Sequence, residues 1–171
     1  MSFNPAFEIN EFGHSASEFL ISSIYQINQS NTPEVGGLSS SKSMKNLIEM
    51  ASKNLVIKNG KEIIGFIVCF RENSKYKSLN YKHISSLDNK FLYIDRVAIK
   101  KSFTRSGIGT AVYKMLFDHA DREKLPIYCE VNIEPINMPS LDFHKKNGFS
   151  KIGEKQFEDH SVAYFKRQPS Y

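Results

Sequence analysis

The spacing of apolar residues in the first third of the chain predicts two amphipathic helices. Apolar positions recur at three to four residues over residues 16–29, with Ser15 or Ser17 available as an N-cap, and these positions are Phe19, Leu20, Ile24 and Ile27. A second stripe over residues 41–52 contains Met44, Leu47, Ile48 and Ala51. The Gly- and Pro-bearing stretch 31–37 separates the two helices.

A β-hairpin follows the second helix. Residues 54–58 and 62–71 are rich in strand-forming residues, and Asn59-Gly60 lies between them. Asn-Gly between two such runs is a strong signal for a two-residue hairpin turn. Residues 73–90, rich in Ser, Asn, Lys and Tyr, show no clear period. A connection of that length is usually functional or disordered.

The second half of the chain alternates between strand and helix patterns. Strands are predicted at 91–100, 127–132, 150–157 and 161–166, and a short helix begins at Pro139 and ends at Asn147-Gly148. The helix that ends near Glu123 has the apolar face Ile108, Ala111, Val112, Met115, Leu116 and His119. With a first strand at residues 7–10, the order is β-α-α-β-β-β-α-β-α-β-β. Strand–helix–strand units imply parallel neighbours, so we expect an α/β (α+β mixed sheet) fold in one domain over residues 1–171.

Composition narrows the class of protein. The chain has 171 residues, 40% hydrophobic and 24% charged, which is typical of a globular domain. It has no apolar run of about 18 residues, and Met1 to Pro5 lack the pattern of a signal peptide, so we expect no membrane span. Cys69 and Cys129 lie in apolar strands without a second Cys or His at ligand spacing, so we predict two buried thiols and no metal site. These features favour a reducing, cytoplasmic location.

The net charge of +5 comes from basic residues that are spread along the chain rather than blocked. This distribution, and the lack of a reader motif, argue against a nucleic-acid partner. A phosphorylated small ligand would also favour a local basic rim.

The turn between the fourth strand and its following helix carries the first chemical signal. It spans residues 104–110 and contains Gly107 and Gly109. A helix start offers unpaired backbone N–H groups and a partial positive charge, and glycine lets a phosphate approach them. The turn is neither a P-loop nor a dinucleotide fingerprint, because the glycines and lysine those motifs need are missing. By itself it predicts only a candidate anion site.

Two motifs together resemble the GNAT (Gcn5-related N-acetyltransferase) superfamily. The first is Val97-Ala98-Ile99 followed by Thr104-Arg105-Ser106-Gly107-Ile108-Gly109, which is similar to that family's acetyl-CoA motif. The second, Asn137 to Phe149, is similar to its Asn-x-x-Ser motif ending in Gly-Phe. The resemblance covers nearly the whole chain. It is closest to bacterial predicted acetyltransferases of unassigned substrate, and implies the GNAT acyl-CoA N-acyltransferase fold.

The resemblance also implies where coenzyme A would bind. The backbone of Val97, Ala98 and Ile99 would pair with the pantetheine arm, amides from Thr104 to Thr110 would hold the pyrophosphate, and Asn137 and His144 would lie near the thioester. Thr110, Lys100, Lys101 and Arg105 offer further donors. Two positions depart from the family: Thr104 replaces the usual Arg or Gln, and His144 replaces the tyrosine that customarily protonates the CoA thiolate. A histidine either donates as imidazolium or packs.

An amine acceptor must lose a proton before it attacks a thioester, so a base is needed. The candidates are Asp95, Glu130 and Glu134. Strand alternation places Asp95 on the face of Val97 and Arg96 on the opposite face; Asp95 is either a base or an ion-pair partner. Glu130, alone in an apolar strand, is either paired structurally or faces the substrate entry.

The acceptor pocket is expected beside the long connection. Tyr76, Tyr81 and His83 lie within it as wall or lid residues, unless they are solvated loop residues, and Tyr93 is either core or pocket. The leading hypothesis is acetyl transfer from acetyl-CoA to a primary amine of a small molecule or amino acid. The alternatives are a protein lysine or N-terminal acetyltransferase and a non-catalytic acyl-CoA sensor. A homodimer stays open.

Overall fold

The computed structural model describes residues 7–171. Residues 1–6, and with them the segment Met1 to Pro5 that lacks a signal-peptide pattern, lie outside the described residues. The strands are β1 (Glu8–Phe12), β2 (Lys53–Asn59), β3 (Glu62–Arg71), β4 (Leu92–Ile99), β5 (Ile127–Glu134), β6 (Ser150–Gln156) and β7 (Ser161–Arg167). The α-helices are α1 (Glu18–Ser30), α2 (Ser41–Met50), α3 (Leu79–Leu87), α4 (Ile108–Glu123) and α5 (Met138–Lys146). A short 3₁₀ turn spans Lys101–Phe103.

The seven strands form one mixed sheet in the order β1-β2-β3-β4-β5-β7-β6. The pair β4–β5 is parallel and the other pairs are antiparallel, which confirms the predicted mixed sheet. The seven strands also follow one another along the chain in the predicted sequence of elements. The hairpin turns at Gly60, whose φ of 61° lies in the left-handed region that glycine adopts freely. Helix α3, within the stretch that showed no period, is added to the predicted order.

Serine caps define the starts of three helices. The hydroxyl of Ser17 accepts a hydrogen bond from the amide of Leu20, and Ser40 and Ser78 do the same for α2 and α3. Each satisfies one of the orphan donors of a helix start. Ser17, rather than Ser15, is therefore the cap of α1.

Helices cover both faces of the sheet. Helices α1, α2 and α3 contribute to one buried cluster, and α4 and α5 to the other. The buried face of α4 consists of Ile108, Val112, Tyr113, Leu116 and Ala120. The prediction of Met115 on that face is wrong, since its side chain is 41% exposed. Residues at i and i+4 lie on the same face, and the stripe from Ile108 selects Val112, Leu116 and Ala120 instead.

The two central parallel strands separate after a short contact. Their ladder consists of two residue pairs, Leu92 with Ile127 and Tyr93 with Tyr128. Beyond it β5 continues to pair with β7, and β4 continues to pair with β3. The strands therefore diverge toward their carboxyl ends. In open α/β sheets, ligands bind outside the carboxyl ends of neighbouring parallel strands, so this gap is the first place to seek a site.

Candidate functional site

Two adjoining cavities occupy the region where β4 and β5 diverge. The larger, of about 540 Å³, is bounded by the α1–α2 loop, Tyr76, and the β6–β7 turn at Asp159 and His160. The smaller, of about 110 Å³, lies against the start of α5 and the inner face of α4. Five residues line both cavities: Glu34, Val35, Asp95, Arg96 and Glu130. The two cavities thus meet at the divergence of the strands.

A β-bulge in β4 places Asp95 and Arg96 together. Arg96 pairs with Val68 and Ile94 pairs with Cys69, so Asp95 is an extra residue with no partner on β3. The prediction that Arg96 points away from Asp95 is wrong, because the extra residue interrupts the alternation. Arg96 Nε lies 2.7 Å from Asp95 Oδ2, in an ion pair whose side chains are 8% and 4% exposed.

Further hydrogen bonds fix this ion pair. The Tyr76 hydroxyl donates to Asp95 Oδ1 at 2.8 Å. Arg96 also donates to Asn28 Oδ1 at 2.9 Å and to the Gly36 carbonyl at 3.0 Å. The pair therefore ties β4 to α1 and to the loop that borders the larger cavity. Asp95 has both an ion-pair partner and a place on the cavity wall.

Glu130 lies at the junction of the two cavities. Its carboxylate accepts from the Tyr93 hydroxyl, 2.8 Å from both oxygens, and from Asn80 Nδ2 at 3.2 Å. Burial, followed by the negative charge of Asp95, raises the pKa of Glu130 to about 8. A carboxylate with a pKa near neutrality can take up and release a proton at working pH.

His144 is buried beside Tyr113 on the wall of the smaller cavity. The Tyr113 hydroxyl is 2.8 Å from His144 Nε2, and His144 Nδ1 is 2.7 Å from the Ser140 carbonyl oxygen. Burial lowers the pKa of His144 below its usual value. The imidazole is therefore neutral at pH 7.

The turn predicted to bind phosphate lies at the start of α4. Its N-cap is Gly107, with φ of 83° and no side-chain cap, and Arg105 also has a positive φ of 62°. A Cβ built at Gly107 or Gly109 would meet no atom within 4 Å. The space beside these two glycines is therefore open, and a helix start supplies the unpaired backbone N–H groups that an anion site requires. Thr104 Oγ1 donates to the Lys101 carbonyl at 2.8 Å and so stabilises the turn.

The other residues predicted for the site fall into two groups. Asn137, which caps α5, and Val97 line the smaller cavity, whereas Ala98 is buried in the core on the opposite face of the sheet. Neither Tyr81 nor Tyr93 belongs to the cavity lining. Their placement as substrate-contacting residues is not supported: the Tyr81 hydroxyl bonds to the Arg71 carbonyl at 2.7 Å, and Tyr93 is fully buried under Glu130.

Several cavity residues were missed from the sequence, among them Glu34, Asn80, Tyr113 and Asn132. Glu34, Asn80 and Asn132 lie outside the two motifs, whereas Tyr113 lies on α4, the helix that begins in the first motif. Tyr113 was detectable in principle, because it follows Gly109 by four residues and the fold buries that side of α4. A tyrosine on an inward stripe brings a hydroxyl that must find a partner.

Cys69 and Cys129 are buried free thiols, as predicted, and burial raises the pKa of both. Within residues 7–171, no group of three or more His, Cys, Asp or Glu side chains is placed to hold a metal ion. In the same part of the chain, no helix is long and apolar enough to cross a membrane.

Comparison with known proteins places the chain among acyltransferases. The model of the family described as "Acetyltransferase (GNAT) family" matches residues 21–149. A sequence search of curated proteins finds no match.

Solved structures share the fold at low sequence identity. The ribosomal-protein-S18-alanine N-acetyltransferase of Escherichia coli matches with a TM-score of 0.70 and 13% identity, covering 97% of this chain and 96% of that one. Ard1 of Thermoplasma volcanium matches with a TM-score of 0.71 and 19% identity, covering 97% of this chain and 99% of that one. A chain of the NatC complex bound to Gag peptide and CoA matches with a TM-score of 0.70 and 15% identity, covering 96% of this chain and 99% of that one. At these identities the structures establish a common fold and nothing finer.

Proposed function

Because the chain belongs to the GNAT acetyltransferase family, we propose that it transfers the acetyl group of acetyl-CoA directly to a primary amine of a small molecule or amino acid. The observation that carries this proposal is Glu130: a carboxylate with a pKa of about 8 at the junction of the two cavities. One cavity suits the acceptor and the other suits the thioester.

The chain's own geometry fits coenzyme A. The open helix start from Thr104 to Thr110 suits the pyrophosphate, because backbone N–H groups and the helix dipole attract anions. The β5-facing edge of β4 beyond Tyr93 has no ladder partner, which leaves the backbone around Val97 for the amide groups of the pantetheine arm. Acetyl-CoA supplies the activated acyl group. Asn137 and His144 then border the thioester end.

Glu130 is the better candidate for the base. An alkyl ammonium has a pKa near 10, so a base with a pKa of about 8 removes its proton at a modest cost. Asp95 Oδ2 accepts from the Arg96 guanidinium and Oδ1 accepts from Tyr76, so its charge is held in an ion pair. Glu130 accepts from neutral donors, the Tyr93 hydroxyl and the Asn80 amide, and has no such cation beside it. We assign Asp95 to shaping the cavity and holding Arg96 in place.

The charge of the larger cavity favours a cationic acceptor. Its wall carries the acidic residues Glu34, Asp95, Glu130 and Asp159, whereas the chain as a whole has a net charge of +5. Glu130, with its raised pKa, is largely neutral at pH 7, so Glu34 and Asp159 supply the negative charge that Arg96 does not balance. Among residues 7–171, Arg96 is the one Lys or Arg on that wall, and Asp95 neutralises it. An excess of carboxylates in a confined site raises the local concentration of ammonium groups.

The size of the cavity favours a small acceptor. About 540 Å³ is within the usual range for small-molecule sites. The α1–α2 loop closes one side, and Asn132 Nδ2 holds it to β5 by donating to the Pro33 carbonyl at 2.9 Å. Tyr76, stacked on Phe70 with centroids 4.3 Å apart, forms a rigid opposite wall. These contacts restrict the room available for a peptide chain.

Release of free thiol from acetyl-CoA, measured against a panel of amines, tests the proposal. The panel contains diamines, amino acids, neutral alkyl amines of matched length, and peptides with free N-termini or lysines. We expect turnover with small amines, and higher kcat/KM for those carrying a second cation. Turnover with peptides alone would indicate protein acetylation. Saturable acetyl-CoA binding without turnover on any amine would indicate a sensor.

A further inference from the structure

Tyr113, on α4, brings a buried hydroxyl to the wall of the smaller cavity, which Glu130 lines from β5. It lies on α4, six residues beyond Gly107, and its side chain is 5% exposed. Around the ring stand Phe117, Phe143 and Phe149, with centroids 4.8–6.2 Å away. The ring is therefore fixed by aromatic packing, and its one polar atom meets His144 Nε2 at 2.8 Å.

The tautomer of His144 fixes the direction of that hydrogen bond. A carbonyl oxygen only accepts, so Nδ1, 2.7 Å from the Ser140 carbonyl, carries the hydrogen. In a neutral imidazole Nε2 then has a lone pair and accepts from the Tyr113 hydroxyl. The imidazole has no hydrogen left to offer to the cavity. Tyr113 has one, and burial raises the pKa of its hydroxyl, which keeps that hydrogen in place.

We propose that the Tyr113 hydroxyl is the hydrogen-bond donor to the sulfur of coenzyme A as the acetyl group leaves, and that His144 is its positioning residue. This assignment rests on the proposed acetyl transfer. A neutral imidazole is a weaker acceptor than a thiolate, which carries a full negative charge. The hydroxyl hydrogen therefore turns from Nε2 to sulfur when negative charge develops there.

The transfer balances without a covalent enzyme intermediate. The amine nitrogen forms a bond to the acetyl carbon, the carbon–sulfur bond breaks, and its electron pair passes to sulfur. Of the two protons that the ammonium nitrogen loses, one ends on the thiolate and one leaves through Glu130 to solvent. Tyr113 keeps its own proton overall, so its contribution is electrostatic stabilisation of the leaving group.

A binding comparison tests the contact without relying on turnover. Coenzyme A and desulfo-coenzyme A differ at the sulfur alone. Because an alkyl thiol ionises above the cysteine value of about 8.5, the comparison is made over a pH series up to about 10, where the ionised share of the thiol grows. A hydrogen bond to a charged group corresponds to roughly a ten- to hundredfold change in affinity. We expect the wild-type protein to bind coenzyme A more tightly than the desulfo form by that factor. The Tyr113→Phe variant, which keeps the ring, should bind both equally.

Matched variants distinguish the loss of the Tyr113 hydroxyl from a general loss of stability caused by substituting a buried tyrosine. Tyr128→Phe removes the hydroxyl of another buried tyrosine, which donates to Asp88 Oδ2 at 3.1 Å and lines neither cavity. This control variant should keep both the preference for coenzyme A over the desulfo form and the wild-type turnover. Tyr113→Phe should lower kcat about a hundredfold with little change in the KM for acetyl-CoA. If His144 acts through Tyr113, His144→Phe should add little to the kcat loss of Tyr113→Phe, because the two changes remove one shared interaction.

The outcomes distinguish this inference from the proposed function. Wild-type protein that binds no coenzyme A would refute both. Turnover with Tyr113→Phe at the wild-type rate, together with an intact preference for coenzyme A over the desulfo form, would refute the role of Tyr113 alone. Equal binding of the two ligands by the wild-type protein would also rule out that role, and this measurement needs no substitution. Additive kcat losses from Tyr113→Phe and His144→Phe would remove His144 from the positioning role.

Discussion

Replacing Glu130 by Gln removes the proposed base while preserving its shape. In the wild-type protein the Tyr93 hydroxyl lies 2.8 Å from both carboxylate oxygens, and the Gln amide oxygen can still accept its hydrogen bond. The variant loses the ability to ionise, however, and with it any step that takes up a proton there. Rate and stability should therefore both change, and each should change with pH in a direction set by the raised pKa.

The stability effect follows from the linkage between protonation and folding. The folded-state pKa of about 8 lies above the ordinary 4.5 of a glutamate, so the native state binds the proton more tightly than the unfolded state does. Stability contributed by the protonated form is complete below pH 4.5 and is lost as the pH rises through about 8. The difference corresponds to at most about 5 kcal/mol, an upper bound because the carboxylate partly faces a cavity. Gln does not titrate, so Glu130→Gln should gain stability relative to wild type between pH 5 and 9.

Two assays measure these effects. Denaturant unfolding of both proteins at a series of pH values gives the difference in free energy of unfolding, which should shift toward the variant as the pH rises. The pH dependence of kcat/KM should show a rising limb near pH 8 in the wild type, since the base must be ionised to work. The variant should lose that limb and about 10² to 10⁴ in rate. A difference in free energy of unfolding that does not change with pH, or a rise of kcat/KM near pH 8 that persists in the variant, would refute the assignment of Glu130 as the base.

Three further variants probe the surroundings of the site. Gly107→Asp should abolish coenzyme A binding in calorimetry by repelling the phosphates. Gly60→Asp, with a similar positive φ in the β2–β3 turn and outside the lining of both cavities, should bind normally. Arg96→Met leaves a buried carboxylate without its cation and should cost about 3–5 kcal/mol in denaturant unfolding; a loss below about 1 kcal/mol would contradict the buried pair. Tyr93→Phe removes a donor that lowers the pKa of the base, so the pH–rate limb should move upward; an unmoved limb would show that the donor has no influence on the base.

Strong local signals account for the parts of the fold that the sequence predicts. The Asn59-Gly60 pair correctly predicted the hairpin because its turn preference is intrinsic, although Asn59 ends β2 and the two turn residues are Gly60 and Lys61. Helix α3 escaped detection because only Tyr81 and Ile84 of its nine residues are buried, which leaves almost no apolar period. Its Ser78 cap is a real start signal, but serine is common throughout that segment and the cap does not stand out.

The candidate site was less predictable because its key contacts join distant parts of the chain. The helix start at Gly107 is local and was found, whereas the hydrogen bond between Asn80 and Glu130 spans 50 residues. Tyr113 and His144 meet across 31 residues. No periodicity encodes such a meeting, since it depends on how α4 and α5 pack on the sheet. The bulge at Asp95 is equally invisible, because nothing in the strand sequence marks the extra residue.

That bulge explains how one strand serves both cavities. Before it, Tyr93 points into the cluster packed by α1, α2 and α3; after it, Val97 points into the cluster packed by α4 and α5. Strict alternation would put both side chains on one face of the sheet, and one of them could then no longer pack in its apolar cluster. The extra residue resolves this conflict where β4 leaves β5, so the Tyr93 hydroxyl can donate to Glu130 while Val97 lines the smaller cavity. The irregularity therefore lets one strand line both cavities, in keeping with the tendency of bulges to lie beside active sites.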